Sequence, residues 1–215
     1  PLLRQVLPVA AESRAVAGFD DDPVGDGASR GSRGVLHKYA GRALLVATGA
    51  CPIHCRYCFR RAFDYATNRL DRAHLQAAVD FIAERPDIRE VILSGGDPLM
   101  LATARLRAIG DALAAIPHIE RLRIHTRTPV TLPDRIDDAL LDWLSGLPWP
   151  VVVVLHANHA NEFGADVGRA IGRLRGRVHT VFNQAVLLAG VNDDADRLQA
   201  LVETGFERGV VPYYL

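Results

Sequence analysis

Apolar positions along the chain fall into six short runs: ALLVAT at 43–48, EVILSG at 90–95, RLRIHT at 121–126, VVVVLH at 151–156, TVFNQAVLL at 180–188 and GVVPYYL at 209–215. Their lengths and their β-branched and aromatic content predict strands. Between them lie amphipathic stretches of helical length at about residues 72–84, 101–115, 134–146, 162–175 and 194–208. In the second of these, Leu101, Ala104, Ile109, Leu113 and Ile116 fall near one side, as a helix packed on a sheet requires. Strand and helix therefore alternate, which predicts a parallel sheet covered by helices. Trp143 and Trp149 read as packing residues, and Glu162 as a carboxylate complementing the start of a helix.

A doubly wound sheet and a βα barrel both fit that alternation, and the placement of polar residues separates them. A cysteine loop follows the first run, SGGDPL the second, HTRTP the third and HANHANE the fourth, while NQ lies within the fifth. Barrels assemble their sites from the C-terminal ends of several strands, whereas a doubly wound sheet gathers them at one switch point. The expected fold is α/β, a partial (βα)6 barrel over residues 36–215. Residues 1–35, rich in Pro, Gly, Asp and Ser through FDDDPVGDGASRGSRG, predict an irregular, extended lead-in.

Composition narrows the function classes. With 25 acidic and 25 basic residues, 49% hydrophobic and 23% charged, the chain reads as a globular protein rather than a basic nucleic-acid binder or a disordered tail. No apolar run approaches the roughly 20 residues of a membrane span, and no signal peptide opens the chain, so a cytoplasmic location is expected. The start at Pro1 and the strand-like end VVPYYL lead us to expect further chain at both ends. Lys38 is the only lysine.

All three cysteines lie in one stretch, CPIHCRYC, as Cys51, Cys55 and Cys58. An odd number in one tight group argues against a disulfide framework and for a metal or cluster site. Three soft thiolates from one loop suit a four-iron cluster with one iron open to another ligand. The alternative is zinc, completed by His37 or His54. On the next strand Gly95 and Gly96 allow a ligand or backbone to approach closely, and Asp97 offers an acceptor for an ammonium group; the bland alternative there is a strand-to-helix turn.

CPIHCRYC together with LSGGDPL resembles the signature of the radical S-adenosylmethionine (SAM) superfamily. PLLRQVLP, HKYAGRALLVATGACPIHCRYCFRR, RLRIHTRTPV, HANHANE, NQAVLLAGVND and GVVPYYL narrow the resemblance to lysine 2,3-aminomutases, especially the branch serving β-lysylation of elongation factor P. The resemblance implies a radical SAM barrel holding a [4Fe-4S] cluster, SAM and pyridoxal 5'-phosphate (PLP), and an isomerase that converts L-lysine to β-lysine. In such enzymes an adenosyl radical removes a β-hydrogen from lysine held by PLP, and the nitrogen migrates from carbon 2 to carbon 3.

Carried over residue by residue, the resemblance assigns Cys51, Cys55 and Cys58 to the cluster, Tyr57 to the adenine, and Gly95, Gly96 and Asp97 to the methionyl end of SAM. It assigns Arg60 to the substrate carboxylate, which a guanidinium fork suits. Lys38, where the family often carries arginine, Arg42 and Gln184 match positions around the PLP phosphate. Asn158 and His159 fall at a strand end where SAM contact is expected, and His125, Arg127 and His156 are weaker candidates of the same kind. The family's imine-forming lysine and its acidic residues for the substrate ε-ammonium are expected outside this chain, and Lys38 is not their replacement. The implied partners are lysine and an electron donor such as flavodoxin or ferredoxin, with no nucleic acid or membrane; a homo-oligomer stays open. The competing readings are a radical SAM enzyme without PLP and a non-catalytic metal-binding module.

Overall fold

The computed structural model describes residues 1–14 and 16–214. One seven-stranded sheet runs in the order of the sequence: β1 Val35–Tyr39, β2 Arg42–Thr48, β3 Glu90–Gly95, β4 Arg121–Thr126, β5 Val151–His156, β6 Thr180–Gln184 and β7 Val211–Tyr214. Strands β2 to β7 are the six expected parallel strands. The additional strand, β1, pairs antiparallel with β2 across a hairpin at Ala40 and Gly41, where Gly41 takes φ +80°. The positive φ at Gly41 lets the chain reverse in so short a turn.

The helices are α1 Tyr65–Asn68, α2 Leu75–Ala83, α3 Thr103–Ala114, α4 Thr128–Thr131, α5 Asp138–Ser145, α6 Ala165–Arg175 and α7 Ala195–Glu207. The five longer ones lie inside the expected segments. Two begin at aspartate caps, Asp137 accepting from the Leu140 amide and Asp194 from the Arg197 amide, which fixes starts that periodicity leaves loose. The buried face of α3 differs from the expected one. It runs through Leu106, Ile109, Gly110 and Leu113, while Ala104 is exposed. Gly110 belongs to that face because Trp143 packs on it: a Cβ there would stand 3.0 Å from Trp143 Nε1 and 2.9 Å from Leu147 Cδ2. Trp143 is buried as expected, and Trp149 packs against the core.

Strand parity divides the molecule into two environments. Val91, Leu93, Leu122, Ile124, Val153 and Leu155 face the helices and form the core. Ile92, Ser94, Arg123, His125, Val154 and His156 face the concave side. Deep on that side Arg123 donates to Glu90 Oε1 at 2.7 Å and to the Tyr213 hydroxyl at 2.7 Å, and Tyr213 stacks on Phe182 at 5.0 Å. The sheet is spanned on its concave side by the contact of Arg123 on β4 with Tyr213 on β7. It does not close: β1 and β7 are its edges. No helix among the described residues is long and apolar enough to cross a membrane.

The Glu90–Arg123 pair is mostly shielded from water, so removing one partner leaves a charge with no counterion. Glu90→Ala should lower unfolding free energy by about 3 kcal/mol in urea denaturation. Combining it with Arg123→Met should recover most of that loss.

Candidate active site

The concave face holds a cavity of about 480 Å³ whose wall includes all three cysteines, Tyr57, Arg60, Gly95, Gly96, Asp97, Arg127, Lys38, Arg42 and Gln184. Of the expected site residues, Asn158 and His159 are not on that wall. The cysteines are free thiols and half-buried. Burial pushes the Cys51 thiol up to about 12, helped by Asp97, Cys58 and Cys55 nearby. Among the described residues no three His, Cys, Asp or Glu groups close into a metal-ion cage. His37 lies on the other face of β1, edge-on to Phe81 at 6.1 Å, and His54 is exposed, so neither lines the cavity to complete a zinc site.

The glycines have a definite local task. Gly95 takes φ +124°, and a Cβ on it would fall 2.5 Å from the Thr48 carbonyl; a Cβ on Gly96 would fall 2.4 Å from the Ala50 carbonyl. The absence of side chains lets the Gly96 amide donate to Thr48 and the Asp97 amide to Ala50, each at 2.7 Å. The SGGDP loop is thereby stitched onto the backbone that enters the cysteine loop.

The Asp97 carboxylate already has four donors. Oδ1 accepts from Thr126 Oγ1 at 2.7 Å and Leu99 N at 3.1 Å, and Oδ2 from Arg127 N at 2.7 Å and Thr128 N at 2.9 Å. Burial drives its pKa up while those hydrogen bonds resist. Four donors thus tie this side chain to its own loop and to the end of β4.

Arg127 is held on both guanidinium edges. Nη1 donates to Cys55 Sγ at 2.7 Å, and Nη2 to Gln5 Oε1 and Glu162 Oε2, each at 2.8 Å. Glu162 is therefore more than a cap: its Oε1 also accepts from the Asn158 amide at 2.7 Å, the His159 amide at 3.1 Å and Gln5 Nε2 at 3.1 Å. Asn158 is fully buried and sits behind Tyr57, donating to its hydroxyl at 2.7 Å and to Gln5 Oε1 at 2.9 Å while its oxygen accepts from Val186 N at 2.8 Å. His159 caps a turn, Nδ1 accepting from the Asn161 amide at 3.1 Å. Asn158 supports the wall from behind, and His159 stands outside it.

Arg60 is 7% exposed, with Nε on Asp26 Oδ2 at 2.6 Å and Nη1 on Ser94 Oγ at 3.1 Å. The Asp26 contact leaves the Nη edge as the face a further carboxylate can use. Lys38 on β1, Arg42 on β2 and Gln184 on β6 reach the same cavity from the two sides of the curled sheet. Lys38 donates to the Val24 carbonyl, and Arg42 lies 5.6 Å from the Tyr39 ring centroid.

Two residues of the lead-in are structural members of the site. Gln5, 1% exposed, bridges Arg127, Glu162 and Asn158, and its carbonyl accepts from the Arg56 amide at 2.9 Å inside the cysteine loop. Asp26 holds Arg60. The described residues before β1 carry only short 3-10 turns, Leu2–Gln5, Ala10–Ser13 and Gly27–Ser29, yet they are not peripheral. PLLRQVLP carried a resemblance signal for Gln5; nothing in the Asp-Gly-rich composition marked Asp26.

Residues 45–199 match the family model described as radical SAM superfamily. The chain is 45% identical over its full 215 residues to L-lysine 2,3-aminomutase of Escherichia coli (strain K12), covering 63% of that protein. It is 43% identical to the Haemophilus influenzae protein of that name, covering 64%, and 36% identical to the Clostridium subterminale one, covering 52%. The chain therefore spans under two thirds of the length of these curated relatives. Among solved structures, native anSMEcpe with bound AdoMet and Kp18Cys peptide superposes with a TM-score of 0.61 over 80% of this chain and 49% of that one, at 13% identity. That likeness supports the partial-barrel fold.

His125 and His156 face the cavity with Nε2 atoms that have no partner among the described residues. Burial pushes their pKa values down to about 3 and about 4, with Arg123 and Arg60 adding to the effect at His125 and Arg127 at His156. Both are neutral at pH 7, whereas in the unfolded chain they take up protons below about 6.5. The unfolded state therefore binds more protons between about pH 6.5 and the folded values, and stability must fall as pH falls through that window. Urea midpoints of the ligand-free chain should show that decline, and the His125→Gln, His156→Gln double variant should flatten it.

Proposed function

The chain belongs to the radical SAM superfamily and its sequence stands with the lysine 2,3-aminomutases within it, and from that premise we propose that it forms the cluster-and-SAM barrel of an enzyme converting L-lysine to β-lysine. The observation that carries this reading is that three thiols, a glycine-lined loop and a separate basic cluster share one cavity wall. Three soft donors from one loop, with His37 and His54 turned elsewhere, fit a [4Fe-4S] cluster with a position left for SAM. When bound, the cluster and SAM supply a carbon radical that can remove a substrate hydrogen, and PLP supplies an aldehyde for the substrate α-amino group.

Charge pairing supports the remaining assignments. Arg60, Arg123 and Arg127 each have a carboxylate, Asp26, Glu90 and Glu162. Lys38 and Arg42 have none within salt-bridge reach among the described residues, contacting instead a carbonyl and an aromatic ring. Unmatched positive charge beside Gln184 suits the PLP phosphate. Arg60, fixed through Nε, presents its Nη edge to the substrate carboxylate. Tyr57, backed by Asn158 and 5.2 Å from His156, offers an aromatic face for adenine. With the Asp97 carboxylate saturated, the SAM ammonium falls to backbone carbonyls of the SGGD loop. Lys38 is assigned to phosphate and not to the imine. The electron comes from a donor of the flavodoxin or ferredoxin class, and β-lysine serves modification of elongation factor P, as the motif resemblance implies.

Anaerobic loading of the intact protein with iron and sulfide should give one four-iron cluster. Cys51→Ala, Cys55→Ala and Cys58→Ala should each lose it; retention of full iron and sulfide by all three would overturn the assignment. With PLP and SAM added, the protein should rearrange lysine. Arg60→Lys should weaken lysine binding by about 1.5 to 3 kcal/mol, roughly one to two powers of ten, with cluster content unchanged. Borohydride labelling at Lys38 would remove it from the phosphate site.

A further inference from the structure

We infer that Arg127 sets the reduction potential of the cluster through its N–H to the Cys55 sulfur, and that Gln5 and Glu162 hold it there. The inference rests on the cluster reading above and adds a residue that acts on the electron-transfer step. Cys55 Sγ accepts from Arg127 Nη1 at 2.7 Å, and the guanidinium is only 9% exposed. Rotation away from sulfur is blocked on its other edge, where Nη2 is shared by Gln5 Oε1 and Glu162 Oε2. The Arg127 amide is tied separately to Asp97 at 2.7 Å, so backbone and side chain are both anchored. On one face lies the Tyr57 ring, its centroid 5.6 Å from the guanidinium carbon.

One-electron reduction adds a negative charge to a cluster held by thiolates. A fixed cation donating to one of those sulfurs stabilises the reduced form more than the oxidised one, and hydrogen bonds to sulfur are an established lever on such potentials. Shielding from water keeps the effect from being screened. Glu162, 6% exposed, carries the opposing charge and partly offsets it. The two residues of the pair should therefore move the potential in opposite directions. Gln5 touches neither sulfur nor substrate; it is a positioning residue, contributed by the lead-in.

The test is the midpoint potential of the cluster in the intact protein, followed by electron paramagnetic resonance during titration with dithionite and mediators. SAM is omitted, so that contact with its carboxylate cannot account for the result. Arg127→Met should lower the equilibrium constant for reduction at least tenfold, which corresponds to about 59 mV for one electron. Arg127→Lys should fall between it and the wild type, Gln5→Ala should shift the same way by less, and Glu162→Gln should shift upward. A role confined to folding would lower cluster occupancy without producing opposite signs. If Arg127→Met does not load, Glu162→Gln and Gln5→Ala decide the question between them. Unchanged potentials in variants that load would overturn the inference and leave the cluster reading standing; a wild-type protein that binds no cluster would overturn both.

Discussion

The buried carboxylate of Asp97 is the constraint on which the site depends. It follows β3, and its four hydrogen bonds go to Leu99 on its own loop and to Thr126, Arg127 and Thr128 at the end of β4. Its amide donates in the other direction to Ala50, at the entrance to the cysteine loop. Three consecutive loop regions are thus joined through one residue. A charged or protonated carboxyl at 3% exposure costs free energy unless it is satisfied, and here the satisfying groups are the ones whose positions matter. The close backbone approach of Gly95 and Gly96 makes that geometry accessible.

From that joint the rest of the wall follows. Fixing the Arg127 backbone aims its side chain at Cys55, and the remaining guanidinium edge then requires acceptors. Glu162 and Gln5 provide them, and through Asn158 they also fix Tyr57. A glutamine from the fifth residue of the chain and a glutamate from after β5 consequently meet under the cysteine loop. Polar networks of this kind are stable only when nearly every member is satisfied. Arg127 Nε is one group in it left without a partner among the described residues.

The fold was legible because its signals are local. Six strand runs and five long helices follow from period and from flanking polar residues, and the motif positions at strand ends distinguished a barrel from a doubly wound sheet. The hairpin strand β1 was lost inside a segment read for its motif, and the face of α3 was misjudged because Gly110 counts as apolar only once Trp143 is known to lie against it. The site was legible as a set of residue types but not as a set of roles. Asp97, Asn158 and Glu162 read as ligands or caps, and what they do depends on partners 28 to 157 positions away. Gln5 and Asp26 escaped because no periodicity or composition marks a lone polar residue in an irregular segment as buried.

The pairing pattern in the cavity has an energetic logic. A guanidinium facing the inside of a curled sheet loses much of its hydration, and the loss is tolerable only with a carboxylate and hydrogen bonds at hand. Arg60, Arg123 and Arg127 meet that condition. Pairing also removes their freedom, which turns them into fixed features of the wall: Arg123 ties β4 to β7, Arg127 addresses a sulfur and Arg60 offers one edge only. Lys38 and Arg42 are both exposed, so each retains hydration and needs no carboxylate. Neither has a carboxylate within salt-bridge reach among the described residues, whereas each of the three buried arginines is held in place by one.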